Sequence, residues 1–206
     1  MDREGGGPQG WEEEIREFLE LLRSKNEAIN LVSRASIDRV VELQVLPSLA
    51  GLLLLPRDQS IRVLDIGSGG GFPGIPLRIL RPKIRLDLVE ATQKKARFLN
   101  ECVRKLGFHE TAVHACRIES PNSELLERAP FDVAFARAVG QEEVLARSTK
   151  RILRMGHFLW VFSGEHDMGE EYLPWNGMDG STITGLRRLA IGEYVGTEAN
   201  LSPGDP

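Results

Sequence analysis

A chain of 206 residues with 41% hydrophobic and 27% charged content carries enough apolar material for one ordinary globular domain. Its formal net charge of −4 excludes binding to polyanions through overall charge, so any nucleic-acid contact has to come from local basic patches. The longest apolar run, Leu52–Leu55, is far short of a membrane span, no signal peptide is visible, and two dispersed cysteines, Cys102 and Cys116, fit a reducing cytoplasm without a zinc site.

Met1 to Gly10 is glycine-rich and polar and is expected to be a disordered tail. From Trp11 to Ile29, Trp11, Ile15, Phe18 and Leu22 recur at helical spacing, and Glu12, Glu13 and Glu14 suit the positive end of that helix. Asn30 to Ser33 is a joint. Ser36 is an expected N-cap for a helix through Leu46, with Pro47 kinking it or starting a new segment to Leu55. These helices precede the first strand; they either pack on the sheet's open side or cover the active site.

The stretch Val63 to Pro76, VLDIGSGGGFPGIP, organises the chain. Val63, Leu64 and Ile66 read as a buried strand, and the glycines from Gly67 to Gly71 allow a sharp turn with no Cβ in a ligand's way. Pro73 and Pro76 then fit the first turn of a helix ending before Pro82. Strand, glycine turn and helix form the nucleotide-cofactor crevice of an α/β domain. Gly69-x-Gly71-x-x-Gly74 matches the dinucleotide fingerprint, but in poor register, since the glycine next to the strand is Gly67. Asp65 at the strand's end would repel a pyrophosphate and suits an ammonium group. Asp65-x-Gly67-x-Gly69 therefore reads as a site for S-adenosylmethionine, whose product is S-adenosylhomocysteine. The alternative is that Asp65 merely caps the turn.

Ile84 to Val89 alternates as a second strand. Glu90 follows it about twenty residues past the glycines, where a carboxylate typically binds ribose hydroxyls. Thr92 is expected to cap a helix to Leu106. Its apolar stripe is Phe98, Leu99, Cys102, Val103 and Leu106, and Lys94, Lys95, Arg97, Arg104 and Lys105 make the opposite face, either RNA-facing or simply solvated. Thr111 to Ala115 is a third strand, followed by a loop at Arg117 to Glu119 in the place that usually flanks adenine. Glu124 to Arg128 is a helical turn. Phe131 to Val139 is a fourth strand with Arg137 near its carboxyl end, where a charge needs a partner or a role in the crevice. Further expectations are a helix over Gln141–Met155, a strand over His157–Phe162, a loop over Glu165–Asp179, two strands, Ser181–Thr184 and Leu186–Tyr194, around Gly185, and a loose tail from Gly196. The four histidines are dispersed, which supports neither a metal cluster nor a catalytic triad.

The β-α-β-α-β alternation predicts a mainly parallel, doubly wound α/β sheet. The string VLDIGSGGGFPGIPL resembles the first motif of the small-subunit (16S) ribosomal RNA guanine-N7 methyltransferases, the glucose-inhibited division protein B family. NLVS at Asn30–Ser33, KKARFLNECVRKLG at Lys94–Gly107, Arg117-Ile118-Glu119 and Ala136-Arg137-Ala138 are similar to further elements of that family. Where the family has Arg-His-x-x-Asp-Ser, this chain has Leu43-Gln44-Val45-Leu46-Pro47-Ser48.

The resemblance implies a Rossmann-like class I methyltransferase with N-terminal helices and an antiparallel C-terminal strand. Its single domain would span 11–195, made of a helical extension over 11–55 and a core over 61–195, with a flexible tail over 196–206. It implies cofactor contacts at Gly67 and Phe72, around Glu90, Ala91 and Thr92, at Ile118 and Glu119, and at Arg137; the residue reading adds Asp65, Ser68, Gly69 and Gly71, makes Arg137 also the catalytic candidate and expects no metal. It implies a cytoplasmic monomer acting on 16S ribosomal RNA or the small ribosomal subunit, without a membrane partner. A methyltransferase of another substrate, or a homologue that binds the donor without turnover, remains the alternative.

Overall fold

The computed structural model describes residues 8–137, 142–154, 158–163, 172–176 and 182–190. Most of the expected N-terminal tail, all of the C-terminal tail and positions 138–141 and 155–157 fall outside these residues. Helix α1, Trp11–Ile29, starts where Gly10 turns left-handed (φ +86°) and ends where Asn30 does the same (φ +56°), its N–H closing on the Asn26 carbonyl. The buried Asn26 carboxamide then accepts the Val32 N–H at 2.9 Å and sets the joint.

The next segment departs from expectation. Ser36 does not cap a helix; its hydroxyl pairs with that of Ser33 at 2.6 Å, and the chain turns until Val40. A π-helical turn, Val41–Val45, runs into α2, Leu46–Leu49, and a 3₁₀ turn, Ala50–Leu54. Pro47 gives the reason. It has no N–H for the Leu43 carbonyl four residues back, and its ring crowds that carbonyl, so a regular α-turn cannot pass through.

The sheet is built from β1 (Arg62–Ile66), β2 (Arg85–Val89), β3 (Thr111–His114), β4 (Val133–Arg137), β5 (Phe158–Ser163), β6 (Tyr172–Asn176) and β7 (Thr182–Ala190), in the order β3-β2-β1-β4-β5-β7-β6. The first five pair in parallel; β7 runs antiparallel to both β5 and β6. Two expectations fail here. The stretch read as a loop over 165–179 contains β6, and its Pro174 is tolerated because β6 is an edge strand. The two short strands expected around Gly185 are one continuous strand, with Gly185 opposite Ser163 and Pro174.

Helices α3 (Gly74–Leu80), α4 (Gln93–Lys105), α5 (Ser123–Arg128) and α6 (Glu142–Thr149) complete the layers. Helix α6 is shorter than the expected 141–155, because the N–H groups of Ile152 and Leu153 both turn back onto the Thr149 carbonyl. One core joins α1, α3 and α4 to the sheet through Phe18, Leu22, Ile75, Leu77, Phe98 and Leu99; the other lies across the sheet under α5 and α6. β1 therefore buries both faces: Val63, Leu64 and Ile66 are packed away, and Asp65 is carried into the interior with them. Helix α1 packs on α3 and α4, so it covers helices rather than open sheet.

Candidate active site

Strand order reverses at β1, which has β2 on one side and β4 on the other. Ligand crevices of open α/β sheets lie at the carboxyl ends of strands at such a point. The glycine turn sits there. Gly67, Gly69 and Gly71 take positive φ values of 72°, 53° and 97°, a region closed to most L-residues. The turn satisfies itself: the N–H groups of Gly67 and Ser68 donate to the Val89 carbonyl, those of Gly71 and Phe72 to the Ser68 carbonyl, and the Ser68 hydroxyl to the Asp65 carbonyl.

The glycines divide by what a Cβ would meet. At Gly71 it would lie 2.6 Å from Ile75 and 3.3 Å from Phe18, and at Gly74 it would lie 2.6 Å from Leu88 and 2.7 Å from Asp65. Those two are needed for packing. At Gly69 the nearest atom is the Gly67 carbonyl at 3.7 Å, an ordinary contact, so packing does not forbid a side chain here. The Phe72 ring, expected at the cofactor, is buried against Phe18 with centroids 5.3 Å apart. It braces the turn from behind.

Glu90 is placed as expected at the end of β2. Its Oε2 accepts the Gly69 N–H at 2.9 Å and its Oε1 the Thr92 N–H at 2.7 Å. A carboxylate oxygen takes more than one donor, so both retain acceptor capacity while the group is held fixed. Thr92 occupies the N-cap position of α4, although its hydroxyl makes no capping bond. Ala91 and Thr92 are exposed beside it; Glu119 is exposed as well, and Ile118 is buried in the core beneath α5.

Asp65 is wholly buried. Its Oδ2 accepts the Gly74 N–H at 3.1 Å, which is the capping role, while Oδ1 has no partner among the described residues. Burial pushes the carboxyl up to about 7, against the pull of the Gly74 N–H, Ser68 and Arg137. Arg137 donates from Nη2 to the Leu43 carbonyl at 2.8 Å, and its Nη1 is buried and likewise without a partner. Burial lowers its pKa and the nearby Asp65 charge raises it, so the two groups sense one another without a salt bridge between them among the described residues. A buried carboxyl and a buried guanidinium, each with one atom left unmatched among the described residues, suit the ammonium and carboxylate ends of a zwitterion.

Two features of this region depend on contacts that no motif marks. The Leu43 carbonyl joins the site only because Pro47 frees it. Asp87, in the middle of β2, accepts His114 Nε2 at 2.7 Å and both Nε and Nη2 of Arg128, in a buried cluster linking β2, β3 and α5. The signal was a lone acid inside an apolar strand; its place beneath the sheet's surface makes it structural. Among the described residues no group of three or more His, Cys, Asp or Glu side chains is arranged to hold a metal.

The family model described as rRNA small subunit methyltransferase G matches residues 11–173. The chain belongs to that family. It is 38% identical over 157 residues to the ribosomal RNA small subunit methyltransferase G of Rubrobacter xylanophilus, covering 75% of this chain and 60% of the relative. It is 38% identical over 184 residues to that of Sorangium cellulosum, covering 89% and 74%. The chain thus spans about three-fifths of the length of the first of these relatives. Among solved structures, a mutant of MtNAS in complex with S-adenosylmethionine aligns with a TM-score of 0.55 at 14% identity, covering 86% of this chain and 74% of that one. The StiE O-MT structure aligns at 0.53 and 15%, covering 77% and 54%. At such identities these likenesses establish the fold, a Rossmann-like sheet, and the family model establishes the lineage.

Proposed function

We propose that this chain is an S-adenosylmethionine-dependent methyltransferase that modifies N7 of a guanine in 16S ribosomal RNA, free or within the small subunit, as a cytoplasmic monomer with one domain over 11–195. The observation that carries the reading is the pair of unmatched buried atoms, Asp65 Oδ1 and Arg137 Nη1, beside the Gly69 turn in a member of the methyltransferase G family. When bound, S-adenosylmethionine supplies a methyl group activated by its sulfonium.

The residues divide the remaining work. Asp65 receives the ammonium and Arg137 the carboxylate of the donor's amino-acid end. Glu90, fixed by Gly69 and Thr92, receives the ribose hydroxyls, and Ala91, Thr92, Ile118 and Glu119 border the base. Gly67, Ser68 and Gly71 hold the turn in shape, with Phe72 bracing it. Guanine N7 presents a lone pair and no proton, so the chain needs no general base; its contribution is alignment and a preorganised electrostatic seat.

The test is transfer of a radiolabelled methyl group to ribosomal RNA from a strain lacking the modification, followed by nucleoside mass spectrometry. N7-methylguanosine in the 16S fraction is the expected product. Label in another nucleoside, or in a small molecule only, would assign the chain to a different substrate, and donor binding without transfer would make it a scaffold.

A further inference from the structure

We infer that the outward face of α4 and the hollow at its end form a track for the RNA backbone, separate from the donor crevice; this rests on the ribosomal RNA reading above. Sequence alone offers five basic residues on α4, and the structure sorts them. Lys95 is half-buried, and Lys105 lies 3.6 Å from Glu101. Lys94, Arg97 and Arg104 are exposed and make no ion pair among the described residues. Their spacing of three and seven residues puts them in one row, which spans about 15 Å along the helix.

Below the row opens a shallow hollow of about 640 Å³, lined by Arg97, Asn100, Glu101, Arg104, Phe108 and His109. Its one acidic lining residue is neutralised from two sides: Lys25 reaches Glu101 at 3.2 Å and Lys105 at 3.6 Å, and these contacts hold the carboxyl below its usual range. Its floor is stiff. Arg78 stacks over the Phe108 ring at 5.0 Å and donates to the His109 carbonyl at 3.1 Å.

In a chain of net charge −4, three unpaired cations in file with an amide donor beside them make a local reversal of sign. Phosphates are the ligand that such a row recognises, through guanidinium forks and backbone charge rather than base edges. The row starts at Lys94, one turn from the Glu90–Thr92 corner. A strand whose guanine enters the crevice can therefore continue down α4. An acidic protein segment is the competing occupant.

The experiment measures binding of the full chain to a 16S ribosomal RNA fragment across salt concentrations. For Arg97→Gln with Arg104→Gln, the slope of log affinity against log salt should shrink by between one and two, with affinity at low salt reduced at least tenfold. Donor affinity by calorimetry should match the parent, and Lys83→Gln, at the turn before β2, should behave as the parent. An unchanged slope overturns the inference, as does loss of binding to an acidic ribosomal protein with RNA binding intact. If the parent methylates ribosomal RNA while the slope is unchanged, the track alone falls. If the parent neither binds nor methylates it, the reading beneath falls as well.

Discussion

Arg137 holds the Leu43 carbonyl at 2.8 Å across 94 positions of sequence, joining the last residue of β4 to the π-turn of the N-terminal segment. The guanidinium is divided: Nη2 serves the fold, and Nη1 is buried with no partner among the described residues. A lysine is a single point charge and cannot reproduce that fork. Arg137→Lys should weaken S-adenosylmethionine binding by roughly ten- to a hundredfold, the range of one charge-assisted hydrogen bond. Amide exchange over 41–45 should also rise. Calorimetry showing parental affinity would remove Arg137 from the donor site.

Pro47 sets up that contact by what it lacks. Pro47→Ala supplies an N–H to the Leu43 carbonyl and lets the segment relax towards a regular α-turn. Donor affinity should then fall several-fold with the melting temperature unchanged or higher, a combination that simple damage to the fold does not produce. The effect should vanish in an Arg137→Met background, because both changes cut the same link. Additive losses in the double variant would show that Pro47 acts elsewhere.

Asp65 couples stability to pH. Its carboxyl is raised from 3.8 to about 7 by burial, so the folded chain keeps a proton between these values that the unfolded chain has released. Stability contributed by this group is thus highest below pH 4 and declines as pH rises towards 7, by about 4 kcal/mol in the limit of no relaxation. Asp65→Asn keeps an acceptor for the Gly74 N–H and removes the titration. Its donor-free melting temperature should exceed the parent's at pH 8 and converge on it near pH 5. Donor affinity should run the other way, rising in the parent as pH increases through 7 and staying low and flat in the variant. Melting curves with equal pH dependence in the two proteins would refute the buried charge.

Much of this was legible from residue types alone. The strand–glycine–helix stretch announces itself because an apolar run, a glycine cluster and two prolines each restrict the backbone in compatible ways, and Glu90 and Arg137 follow from strand ends that topology brings together. What escaped has a common cause: it depends on pairing across long separations. Gly185 reads locally as a turn, yet β5 and β6 on either side hold it extended. Pro174 reads as a loop marker, yet an edge strand accepts it. Ser36 reads as a cap, yet Ser33 takes its hydroxyl and the helix waits for Val40. In the site, the sequence marks Asp65 but not which oxygen is free, and it gives no sign that a carbonyl at Leu43 belongs there.

The glycine turn also separates two requirements that a motif merges. At Gly71, φ is +97° and a Cβ would meet Ile75 at 2.6 Å and Phe18 at 3.3 Å, inside the packed layer between α1 and α3. Gly71→Ala must therefore move core side chains as well as adopt a strained backbone. It should destabilise by roughly 2–4 kcal/mol, combining overpacking with left-handed strain. At Gly69, φ is +53°, a region that L-residues enter at about 1 kcal/mol, and the added methyl meets nothing closer than 3.7 Å. Gly69→Ala should melt within a few degrees of the parent, yet bind S-adenosylmethionine at least tenfold more weakly, because its methyl projects into the space beside Glu90. Chemical denaturation and calorimetry on the two variants read these losses separately. Equal stability in both, or parental donor binding by Gly69→Ala, would mean that the crevice does not lie over this turn.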